Sequence, residues 1–172
     1  MSYELAQVNI GRLAAPLDSP ELAAFMAALD PVNAAAEQAP GFIWRLQTED
    51  GNATAVRAFE WDAGDSAGVI INMSVWASVA DLGAFVFGNE LHRQIMRQRR
   101  RFFQLMREAY TTCWWVPAGH RPTPAEAEDR IRHLRAHGPS PWAFTLKTSF
   151  PPPASPEADQ PVAGSADWLC PA

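Results

Sequence analysis

The stretch Val69–Trp76, VIINMSVW, decides the fold. It is rich in Val and Ile and lies between the loop residues 62–68 and Ser78, so it reads as a β-strand, and as a central one. Ser78 is an N-cap candidate for a helical region reaching about residue 107, and Gly88-Asn89 is placed to divide that region in two. Upstream, residues 41–48, GFIWRLQT, form a second strand. Phe42, Trp44 and Leu46 are expected on one face of it and Arg45 on the other. Between these strands lie a turn at residues 49–52 and the run ATAVRAFEW, a short strand or an ordered loop.

Moving outward, residues 3–13 alternate as a first strand, with Leu5, Gln7, Asn9 and Gly11 on one side and Ala6, Val8, Ile10 and Arg12 on the other. Ser19-Pro20 opens a helix whose Leu22, Phe25, Met26, Leu29 and Val32 recur at helical spacing, and Pro40-Gly41 ends it. Residues 111–116, TTCWWV, make another strand. Thr123 caps a helix with acidic groups early and basic groups late, and residues 143–150 supply a final strand. The order is therefore βαββαβ with an appended helix and strand. This predicts an α+β, ferredoxin-like antiparallel sheet with its helices on one face. The uncovered face predicts a second copy, hence a homodimer closed as a dimeric α+β barrel. The domain is expected over residues 1–150, with a Pro- and Ala-rich mobile tail over 151–172.

Composition narrows the partners. The net charge of −5 gives no general attraction to nucleic acid. The N-terminal MSYELAQVNIGRL lacks a basic start followed by an apolar run, and no stretch approaches a membrane span, so a cytoplasmic protein with no membrane partner is expected. Cys113 and Cys170 have no metal-type spacing. There is no glycine-rich phosphate loop, nucleophile elbow, HExxH or cysteine cluster, so no cofactor and no metal are expected. His133 and His137 stand at i and i+4 on the late helix, with no third ligand nearby in sequence.

Four runs, LAQVNIGRLAAPLDSP, PGFIWRLQTEDGNATAVR, NMSVWASVADLGAFVFGNELHRQIMRQRRRFF and WWVPAGHRPTPAEAEDRIRHLRAHGPSPWAFTLK, resemble the bacterial DUF3291 family over about residues 3–150. The stretch AFEWDAGDSAG is longer than is usual there. The resemblance implies a fold related to antibiotic-biosynthesis monooxygenases and other dimeric α+β barrels. It brings no activity with it.

The candidate site is built from residue types. His92 shares a helix face with Met96, Arg99 and Phe103, beside a more apolar stripe of Leu91, Ile95, Phe102 and Met106. An imidazole at such an edge suits a general base, a haem ligand or a structural hydrogen bond. Among the arginines, Arg97 and Arg93 lie nearest its turn and are candidates to reach a pocket anion. His120, in a Pro- and Gly-bounded loop, is placed for a pocket rim or a helix cap. Trp44, Trp76 and Trp114 or Trp115 lie on three strands, suited to core packing or to lining a site for a flat ligand. The catalytic expectation is thus His92 and Arg97. Trp44, Asn72, Trp76, Met96, Phe103, Trp114 and His120 are the expected substrate-binding residues. The expected function is a cofactor-independent enzyme of bacterial specialised metabolism, an oxygenase, cyclase or isomerase acting on a hydrophobic polyketide-like or aromatic small molecule. The alternatives are a non-catalytic small-molecule-binding protein or a haem-binding protein on the same barrel.

Overall fold

A computed structural model describes residues 2–154. Its strands are β1 (Tyr3–Arg12), β2 (Phe42–Arg45), β3 (Val69–Trp76) and β4 (Thr111–Pro117). Its helices are α1 (Ala23–Glu37), α2 (Val79–Gly88), α3 (Glu90–Phe102) and α4 (Pro124–His137). The strands form one sheet in the order β2-β3-β1-β4, and every neighbouring pair is antiparallel. This is the ferredoxin-like arrangement, with the strand expected to be central paired on both sides. The predicted tail lies mostly outside the described residues, as do Trp168, Leu169 and Cys170.

The caps explain where the helices begin. Ser78 accepts from the Asp81 backbone N–H and starts α2. Asn89 adopts an extended conformation, ends α2, and accepts from the His92 N–H to start α3. Thr123 and Glu126 form a reciprocal capping box on α4. Ser19, expected to cap α1, makes no capping bond. A 3-10 turn over Pro20–Leu22 comes first instead.

Each sheet face has its own cover. On one, Leu5, Trp76, Cys113 and Trp115 are buried against α1 and α2 through Ala36, Val79, Phe85 and Val86. On the other, Ala6, Val8, Ile71, Met73, Val75, Trp114 and Val116 pack against Ala127 and Ile131 of α4 and against Ala58 and Phe59. The face expected to be bare is therefore filled by the chain's own appended helix and by the run ATAVRAFEW, which forms an ordered loop ending in a 3-10 turn at Glu60–Asp62.

A charge network fastens this loop. Asp62, 6% exposed, takes a bidentate pair of bonds from Arg135, at 2.7 and 3.1 Å, and one from Arg12 at 2.7 Å. Arg12 Nε also donates to the Asp62 carbonyl at 2.6 Å. Glu128 accepts from the Phe59 N–H and the Trp61 indole N–H, and the Arg132 guanidinium lies 4.1 Å from the Trp61 ring centre. Burial pushes the Asp62 carboxyl up, but the hydrogen bonds and charges of Arg135 and Arg12 outweigh it and hold it below the usual carboxylate range.

Two expectations are corrected. Residues 143–150 do not form a strand. Isolated bridges take its place, Phe144 to Cys113, Ala143 to Ser140 and Thr148 to Thr145, and the Trp115 indole N–H donates to the Phe150 carbonyl at 2.9 Å. Strand β2 carries a bulge between Phe42 and Trp44. One extra residue reverses the alternation, so Phe42 joins Trp76 while Trp44 and Leu46 join the opposite layer with Val75.

Candidate functional site

Strand β2 is too short to cover β3. Its last ladder partner is Ser74, opposite Arg45, and one further bond runs from Leu46 N to Met73 O. Beyond Leu46 the chain departs, and the outer edge of β3 over residues 69–72 has no strand beside it. A cavity of about 260 Å³ occupies this region, bounded by β1, β3, α1, α3 and the segments 46–54 and 103–111. A smaller recess of about 50 Å³ shares Asn9, Asn33, Arg45, Asn72 and His92 with it.

The walls are apolar: Phe25, Leu29 and Val32 from α1, Ile95 and Met96 from α3, then Ile70 and Phe103. Phe103 sits edge-on to Phe25 at 5.2 Å. Its ring lies over Gly11, where an added Cβ would stand 2.7 Å from the ring. Glycine at this strand position is what lets the ring reach the floor of the cavity.

That floor is polar. Asn9 pairs with Asn72 directly across the β1–β3 ladder, and Gln7 with Ser74 two residues further along, in the recess. The Gln7 amide donates to Ser74 Oγ at 2.8 Å, as does the Trp76 indole N–H at 2.8 Å. Asn72 is exposed in the middle of a strand, and the Asn9 carboxamide has no hydrogen-bond partner among the described residues. Carboxamides on the helix-facing side of a sheet are costly to bury unpaired, so their place beside an open cavity is physically consistent.

His92 stands where the floor meets α3. The break at Asn89 leaves the Val86 carbonyl without a helical partner, and His92 Nδ1 lies 3.1 Å from it. Nδ1–H therefore donates, and Nε2 carries the lone pair. No described residue bonds Nε2, while the His92 side chain lines both cavity and recess. Burial lowers its pKa, and the Val86 bond offsets this in part, which favours the neutral ring. Phe85 packs against it at 5.4 Å between ring centres.

His92, Met96 and Arg99 of α3 line the cavity, with Asn72 opposite; Phe103, expected on the same helix face, lines it from extended backbone beyond the end of α3. Leu91, expected on the apolar stripe, is 44% exposed. The other candidates lie elsewhere. Arg97 points to solvent and pairs with Glu90 at 3.2 Å, and Arg93 also pairs with Glu90. Trp44 follows the bulge to the far layer. Trp114 is fully buried under α4, with Arg130 over its ring. Trp76 is buried between Phe42 and Phe85 and borders only the small recess. His120 stands beside the capping box of α4, its Nε2 2.8 Å from Glu126 Oε1. His133 meets Ser140 Oγ at 3.1 Å. Among the described residues no three His, Cys, Asp or Glu side chains cluster as metal ligands. Burial raises the Cys113 thiol to about 12, which makes it inert.

Sequence reasoning missed Gln7, Asn9, Asn33 and Arg45. For Gln7 and Asn9 the signal was present, as polar residues alternating with apolar ones in a strand buried on both faces. Arg45 was hidden by the bulge.

A family model, Domain of unknown function (DUF3291), matches residues 4–160. The chain belongs to the DUF3291 family. The match continues past residue 150, where the resemblance was expected to end, and it spans the loop that pins Asp62. No curated protein matches the chain. Among the described residues of this DUF3291 protein, no helix is long and apolar enough to cross a membrane.

Proposed function

We propose that this DUF3291 protein is a cofactor-independent acid–base enzyme that takes a small, largely apolar molecule bearing a carbonyl group. One observation carries the reading: a neutral imidazole, oriented by Val86, presents an unbonded Nε2 to an apolar cavity floored by carboxamides. Nε2 removes a proton from carbon next to the carbonyl, and Asn72 with Asn9 donates to the oxygen on which charge develops. The same two steps serve an isomerase or a cyclase, and they start a cofactor-free oxygenation.

Volume limits the substrate. A cavity of about 150 Å³ accommodates benzene, so about 260 Å³ fits a body of one or two rings rather than an extended polycycle.

The test uses 2-tetralone, a two-ring ketone with exchangeable C–H groups, in deuterated buffer followed by NMR. The wild-type protein should accelerate exchange next to the carbonyl. His92→Gln should reduce the rate by roughly 10²–10⁴-fold, the usual contribution of a positioned base, with the fold intact by circular dichroism. Binding of the ketone without any acceleration would support the non-catalytic alternative. A Soret shift with haemin that disappears in His92→Gln would favour haem ligation.

A further inference from the structure

The charge around the cavity is one-sided. Asp and Glu outnumber Lys and Arg in the chain, 19 to 14, yet no carboxylate lines the cavity while Arg45, Arg99 and Arg100 do. Arg45 is the most sheltered of the three, its side chain 13% exposed. Glu37 accepts from its Nε at 2.7 Å, which fixes the plane of the guanidinium. Its two terminal nitrogens bond no described residue. They belong to the same cavity and recess as Asn9, Asn33 and Asn72. Arg99 and Arg100 are exposed, and neither forms an ion pair among the described residues.

A guanidinium held at Nε with its outer edge unbonded is a receptor for a planar two-oxygen anion. Carboxamides beside it supply further N–H donors. We infer that the ligand is an amphipathic carboxylate, its head on the outer edge of Arg45 and its apolar body against Phe25, Leu29, Ile95, Met96 and Phe103. Arg99 and Arg100 attract the anion from a distance. This deepens the proposed function and rests on its assignment of the cavity as the binding site.

Two probes of equal shape test it: 2-naphthoate and its neutral counterpart 2-naphthamide, titrated calorimetrically into the full chain. The wild-type protein should bind naphthoate at least about tenfold more tightly. Arg45→Gln should abolish that preference, with circular dichroism showing that the variant is folded. Arg45→Lys, which keeps the charge without the fork, should retain only part of the preference. The Arg99→Gln/Arg100→Gln pair should flatten the salt dependence of naphthoate binding and keep the preference. Equal wild-type binding of the two probes, or a preference that survives Arg45→Gln, would overturn the carboxylate assignment while leaving the cavity as a site for apolar molecules. Binding of neither probe would overturn both.

Discussion

Single residues set the shape of this site. Gly11 is one: a methyl group there would stand 2.7 Å from the Phe103 ring, which must then leave the cavity floor. Gly11→Ala should cost about 1–3 kcal/mol, as overpacking does, and should weaken binding of 2-naphthoate. Denaturant titration and calorimetry on the same sample would check both effects. Asp62 is another. Its carboxyl is held below the ordinary carboxylate range by Arg135 and Arg12, so its stabilisation is present above the unfolded value near 3.8 and is lost as the pH falls through the lower folded value. Asp62→Asn leaves Arg12 and Arg135 short of a partner, and should cost roughly 3–5 kcal/mol at neutral pH, as breaking a buried pair does. The penalty should shrink in acid. Urea midpoints for both proteins, measured between neutral pH and about pH 3, would show the curves converging. Parallel curves would assign the acid sensitivity to other groups.

At the level of elements, much was legible in the sequence. The β-rich run Val69–Trp76, the break at Gly88-Asn89 and the Thr123 cap each follow from local chemistry, and each appears where expected. The α3 face of His92, Met96 and Arg99 was readable from helical periodicity alone, whereas Phe103 reaches the same cavity from extended backbone just past the helix end. What escaped depended on tertiary context. A single bulge in β2 moved Trp44 out of the site and brought Arg45 into it, and no periodicity argument registers one inserted residue. Likewise His120 and Trp114 offered two readings each. In the structure His120 meets Glu126 and Trp114 lies under Arg130, both partners on α4.

For the whole molecule, the decisive fact is that α4 and the Asp62-pinned loop complete the core of the sheet from within the chain. The strand order alone implied an unfilled face, because pairing says nothing about where an appended helix docks. Ile131 is fully buried in that layer. Ile131→Ala should therefore cost about 2–5 kcal/mol, the usual range for truncating a core aliphatic residue. The loss should not depend on protein concentration. A midpoint that rises with concentration would show a second copy sharing this core. Burial is also what lowers the pKa of His92 and favours its neutral ring, and on that the functional proposal depends. Long-range proton–nitrogen NMR of the His92 ring across pH measures it most directly. Nδ1 should carry the proton, Nε2 should be bare, and titration should fall below the ordinary value of 6.5. A proton on Nε2, or a titration above 6.5, would contradict it.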